Sequence, residues 1–183
     1  MSARTRFARE DWVGHGLAEL SARGTEAIKL EEICASAGRT RGSFYHHFAD
    51  HGAFLTALAQ GWASRQTEAL APDPNTTAEA AAASLTEAAL QIDYRLELAI
   101  RELARRAPEV AAIVAATDAR RLEILTDIYA ARFDLDRTRA GQYAMLEYAA
   151  FCGIILIQPD MEAGAQTQLA ALYDETVRRA LKT

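Results

Sequence analysis

Residues 35–48, ASAGRTRGSFYHHF, place Arg39, Thr40, Arg41, Ser43, Tyr45, His46 and His47 within nine positions, with His51 close behind. All four histidines of the chain fall in its first 51 residues. Side chains of these types serve three kinds of chemistry: metal ligation, histidine-based catalysis, or contact with phosphates and base edges. Metal ligation fits poorly, because neighbouring residues on a helix point about 100° apart and Asp50 is wanted as a helix cap. Catalysis lacks a partnered nucleophile or acid, so no enzyme, metal or cofactor is expected. The third use fits the spacing. A hydroxyl cap and free backbone N–H groups at a helix start receive a phosphate, and Thr40 stands there. Arg41 and Ser43 leave the first turn as donors, arginine being able to pair bidentately with guanine. Gly42 lets the backbone approach a sugar-phosphate wall, and Tyr45 and His46 continue the exposed edge.

The flanking pattern predicts the elements that hold this edge in place. A first helix is expected from Arg4 to Ala22, with Trp12, Val13, Gly16, Leu17 and Leu20 on its inner stripe. Leu30, Ile33, Cys34 and Ala37 repeat at helical spacing and predict a short second helix, which Gly38 closes in a positive-φ conformation. Thr40 caps a third helix over 41–47, pinned by Phe44 and Phe48. Asp50 caps a fourth, running to about Leu70. Two short helices joined by a glycine turn make a helix-turn-helix, whose second helix enters the DNA major groove.

The run GTEAIKLEEICASAGRTRGSFYHHFADHGAFLTAL resembles the DNA-binding head of the TetR family of transcriptional repressors. Gly24, the short helix with Ile33, the Ala37-Gly38 turn, RGSFYHHF and the capped helix opening ADHGAFL carry the resemblance, over about residues 8–62. It implies an all-α fold: a three-helix head at 1–50, then a helical ligand-binding and dimerisation body at 51–183, about nine helices in all. It further implies a cytoplasmic homodimer that binds a palindromic operator in double-stranded DNA and is released from it by an unknown small molecule. The implied DNA contacts are Lys29, Arg39, Thr40, Arg41, Gly42, Ser43, Tyr45, His46, His47 and His51. Two positions depart from the family pattern. Lys29 replaces a frequent threonine cap, losing about 1 kcal/mol while offering a phosphate contact. His51 replaces a frequent lysine, and histidine changes charge near neutral pH, so DNA affinity is expected to rise as pH falls.

Beyond the break APDPN (71–75), helices are expected near 76–92, 94–106, 108–132, 136–157 and 162–182, with Pro108 suited to a first turn. Trp62, Tyr94, Arg101, Tyr129, Tyr143, Glu147 and Tyr148 are candidate walls of a ligand chamber. Phe151, Ile155, Leu169, Leu172, Tyr173 and Val177 are candidate dimer contacts on the last two helices. Glu147 stands alone in the apolar run 144–157, which at fourteen residues is short for a bilayer. It suits either a cationic ligand or, preferably, an arginine across the dimer. Cys34 and Cys152 are expected to be buried thiols in a reduced compartment. The net charge of −5 excludes a uniformly basic nucleic-acid coat, but it is uneven: residues 1–65 carry +1 and the rest −6. An anion-contacting head on an acidic body accounts for that division.

Overall fold

A computed structural model describes residues 7–70 and 76–181, with side chains for 7–66 and 76–181. Among the described residues every regular element is helical: α1 (Arg9–Arg23), α2 (Leu30–Ser36), α3 (Arg41–Tyr45), α4 (His51–Leu70), α5 (Ala78–Leu90), α6 (Tyr94–Ala104), α7 (Pro108–Phe133), α8 (Arg137–Ile157) and α9 (Ala163–Leu181), plus one 3-10 turn at Thr25–Ile28. The expected linker 71–75, residues 4–6 of the expected first helix and residue 182 of the last lie outside the described residues. Two compact units result. One holds the chain up to Gln66 together with Arg95–Thr117, the other Thr67–Tyr94 together with the chain from Asp118 on.

The first unit is built on a close approach of α1 to α4. A Cβ on Gly16 would come within 2.6 Å of Leu58 and 2.8 Å of Phe54, and one on Gly61 within 2.8 Å of Val13. Around that contact Trp12, Leu17, Leu20, Phe44, Phe54, Leu58 and Trp62 form one core, which extends to Ile100 and Leu103 of α6 and to Val110 and Val114 of α7. Glu97 is fully buried in this unit. It accepts hydrogen bonds from Trp62 Nε1 at 3.1 Å and from the Arg101 guanidinium at 2.8 and 3.1 Å. A carboxylate so enclosed needs such partners, since an unpaired buried charge is very costly.

Most expected boundaries hold, and the differences have local causes. α1 starts at Arg9 rather than Arg4 because Ala8 is extended (ψ 173°), its N–H donating to the Asp11 carboxylate at 2.7 Å. After α2, the Arg39 N–H donates to the Cys34 carbonyl and the Gly38 N–H to Ala35, with Gly38 at φ 61°. That pair of bonds is a Schellman closure, and the left-handed residue it needs is the glycine. α3 ends at Tyr45, not His47, because His47 bonds back only three residues, to the Phe44 carbonyl at 2.9 Å. The 3-10 turn burying Ala27 and Ile28 was not legible, being too short to show a period.

The second unit packs α5, the rest of α7, α8 and α9. Asp136 caps α8 by accepting from the Arg139 N–H at 2.9 Å. Its core joins Leu125, Tyr129, Ala140, Ala144, Tyr148 and Val177. α5 buries no residue completely; it leans Ala81, Leu85 and Ala88 on Ile124 and Ile128. α8 runs 21 residues and by length and composition could cross a membrane, so shortness does not argue against a span as expected. Within the protein it buries Ala140, Ala144, Tyr148 and Ile155. Cys34 is buried, as expected, whereas Cys152 is half-exposed.

Candidate functional site

α3 is only five residues long, so its orientation comes from what holds its ends. The Thr40 hydroxyl accepts the Ser43 N–H at 3.2 Å and fixes the start. Phe44 is fully buried, its ring 5.4 Å from Trp12, 5.2 Å from Phe48 and 5.2 Å from Phe54. Edge-to-face clusters of this kind hold ring directions as well as burying area. The opposite edge is left outward: Arg41, Gly42, Tyr45 and His46 are exposed, Ser43 and His47 half-exposed.

Several of the cations here have partners within the protein. Arg41 pairs with Glu31 of α2, and Lys29 with Glu26, all four side chains at least 60% exposed. Exposed pairs of this sort are worth about 0–1 kcal/mol and exchange readily. The Arg39 guanidinium lies over the Phe7 ring, 4.8 Å from its centre. His46 and His47 meet edge to face at 4.9 Å. Among the described residues no three His, Cys, Asp or Glu side chains converge as metal ligands. His51 is turned inward: its Nε2 donates to the Ile28 carbonyl at 2.8 Å. It therefore ties α4 to the 3-10 turn, and any phosphate contact at this position would fall to Nδ1. Lys29, at the start of α2, supplies no side-chain cap.

Residues 15–58, which span this site, match the family model "Bacterial regulatory proteins, tetR family". The match covers the head and not the rest of the chain: residues 15–58 are similar to the TetR family. Solved structures share the fold over nearly the whole length. A transcriptional regulator from Rhodococcus sp. Rha1 is 16% identical with a TM-score of 0.81, covering 96% of this chain and 98% of that one. A TetR-like regulator from Rhodococcus sp. RHA1 is 20% identical with a TM-score of 0.74, covering 98% and 99%. The ketosteroid transcriptional regulator KstR2 of Mycobacterium tuberculosis is 18% identical with a TM-score of 0.67, covering 94% of each chain. No curated protein matches the sequence.

The second unit holds a cavity of about 180 Å³, lined by α5, α7, α8 and α9 and the segment before α6. Tyr94, Tyr129, Glu147 and Tyr148, expected as chamber walls, line it. The others do not. Trp62 and Arg101 are committed to Glu97 in the first unit, and Tyr143 stacks behind Tyr129 at 5.8 Å. Residues the sequence did not single out also line it, among them Arg121, Arg132, Asp174 and Phe151. Arg121, almost wholly buried, donates to the Tyr148 hydroxyl at 2.9 Å, which donates in turn to Asp118 at 2.6 Å. Arg132 is held by Glu79 at 2.7 Å and by Asp174 at 2.7 Å. Glu147 accepts the Tyr129 hydroxyl proton donor at 2.5 Å. Burial raises its carboxyl above the ordinary range, an effect opposed by that hydrogen bond and by the nearby Arg132 charge. Burial, the Glu147 charge and the bonds to Glu147 and Tyr173 keep the Tyr129 hydroxyl protonated.

The candidate dimer residues divide. Ile155 and Val177 are buried within their own chain, 1% and 6% exposed, and so leave no surface for a partner. Phe151 and Tyr173 line the cavity, and Leu169 does so at its rim. Leu172 does face outward, and with it Met145, Leu146, Leu156 and Ile157 of α8. Periodicity marked these helices as apolar but did not say which apolar face the protein keeps for itself.

Proposed function

We propose that this protein is a transcriptional regulator of the TetR type, a homodimeric, cytoplasmic repressor whose two α3 helices enter successive major grooves of a palindromic operator. In this docking mode the half-sites lie about 34–36 Å apart. The observation that carries the proposal is the polarity of α3: Phe44 is fully buried while Arg41, three residues before it, and Tyr45, one after, stand more than half exposed. An arginine and a tyrosine projected from a rigidly pinned helix start are what base-edge readout needs. Arg41 and Lys29 would exchange Glu31 and Glu26 for DNA. The pairing of protomers would use the outward stripe of α8 and α9, where Leu146, Leu156, Ile157 and Leu172 are each at least 59% exposed. Large apolar side chains exposed together on such a surface would mark an interaction site.

The cavity in the second unit would receive the small molecule that lifts repression. α7 contributes its first ten residues to the first unit and the remainder to the second, including cavity residues Arg121, Ile124 and Tyr129. One continuous helix thus belongs to both. A ligand acts only to the degree that it binds the released state more tightly than the DNA-bound one. Selection of sites from a random pool of duplexes tests the reading. The expected product is an inverted repeat bound with a strong salt dependence. Recovery of no symmetric site, or binding to duplex DNA that ignores salt, would defeat it.

A further inference from the structure

The proposed effector cavity has an unbalanced charge. Seven ionic side chains gather in or behind its walls among the described residues: Arg121, Arg132 and Arg178 against Glu79, Asp118, Glu147 and Asp174. Six of them are matched. Glu79 and Asp174 each bond both Arg132 and Arg178, and Asp118 lies 3.9 Å from Arg121. Glu147 is the surplus carboxylate. Its one hydrogen-bond donor is the neutral Tyr129 hydroxyl, and no described cation reaches salt-bridge distance of it. It is also the most confined of the carboxylates that line the cavity, with its pKa raised chiefly by burial.

We infer that this cavity takes a compact organic cation, an aryl-alkyl amine in its ammonium form, with the charge against Glu147. The inference rests on the reading of the cavity as the effector site and specifies the chemistry of the effector. A half-buried carboxylate with no cation at salt-bridge distance is stabilised by any cation that reaches it, and it repels an anion. The surroundings select further. Tyr129, Tyr173 and Phe151 present rings around the site, and aromatic faces attract ammonium groups within about 6 Å. Leu85, Ile124 and Ile154 make the remaining wall apolar, so the cation needs a hydrophobic body rather than a hydrated one. The two lining arginines do not favour an anion. Arg132 is neutralised by two carboxylates, and Arg121 is bonded to Tyr148 and faces Asp118.

Three probes of one shape but different charge separate the alternatives: phenylbutylamine, phenylbutanol and phenylbutanoate, titrated calorimetrically into the full-length protein. The amine is expected to bind about tenfold more tightly than the alcohol, the scale of a hydrogen bond to a charged group, with the carboxylate weakest. Glu147→Gln is expected to bring the amine down to the alcohol's affinity. Glu147→Asp, which keeps the charge, is expected to preserve the order of the three, and thermal unfolding checks that both variants fold. An alcohol or carboxylate that binds as well as the amine overturns the inference. So does a preference that survives Glu147→Gln, or an amine that fails to bind. DNA release is scored separately: an amine that binds at Glu147 yet leaves the operator complex intact defeats the effector reading, not the ligand class.

Discussion

At the scale of single residues the head separates side chains that hold from side chains that are held out. Arg41 is the clearest of the second kind. Its partner Glu31 is exposed and belongs to α2, so the pair costs little to open. Replacing Arg41 by alanine is expected to weaken operator binding by about 1–3 kcal/mol and to relax the base preference at its position. A gel-shift comparison of the selected site with single-base variants would show both effects, and unchanged affinity would remove Arg41 from the readout. The sequence announced such residues because their signals are local. Thr40 before a helix, Gly38 after one and Phe44 four positions from Phe48 are each interpretable from their neighbours alone. Trp62 and Arg101 misled for the converse reason. Their roles depend on Glu97, whose burial arises only when α4 and α6 come together, and a helical period reports that a side chain faces inward without saying toward what. Glu147 stands out in the sequence as an oddity, but its place in the cavity wall beside Tyr129 arises only when α7 and α8 pack together.

Elements are joined here by small residues in one unit and by charge in the other. The α1–α4 contact depends on Gly16, where an added methyl would press on Leu58 and Phe54 at 2.6 and 2.8 Å. Gly16→Ala is expected to destabilise the protein by about 1–3 kcal/mol, the usual cost of overpacking, even though alanine is the better helix former. A denaturation midpoint at or above that of the parent would show that the helices separate freely. In the second unit α5 has no fully buried side chain, and its firmest attachment is Glu79, which bonds Arg132 of α7 and Arg178 of α9. Those hydrogen bonds lower the Glu79 carboxyl from 4.5 to about 2. A depressed carboxylate stabilises the fold above its unfolded pKa and loses that contribution as pH falls through its folded one. Glu79→Gln should therefore melt at a lower temperature than the parent at pH 7. The difference should shrink as pH falls from 4.5 to about 2, and vanish below. The effect is bounded at about 1 kcal/mol because Glu79 is half exposed and screened. Equal melting of the two proteins at pH 7 would show that α5 is held by its alanines instead.

For the whole molecule the open matter is what covers the outer face of α8 and α9. Helices that are apolar on almost every side must be enclosed on almost every side, and the protomer encloses only the half bearing Ala144, Tyr148 and Ile155. The other half exposes Leu146 at 62%, Leu156 at 71% and Ile157 at 73%. In the proposed homodimer a second copy would apply the same face about a two-fold axis and bury both stripes at once. Leu146 makes the sharpest probe because it is 62% exposed in the protomer. Leu146→Glu is expected to leave the helical content of the chain intact while placing like charges at the centre of the paired surface. In sedimentation at micromolar concentration the parent should run as a dimer and the variant as a single protomer. The variant should also bind an isolated half-site about as well as the full palindrome, because the gain from two linked heads is gone. A variant that still sediments as a dimer would place the pairing surface elsewhere, and a parent that runs as one protomer would leave the exposed stripe without its proposed cover.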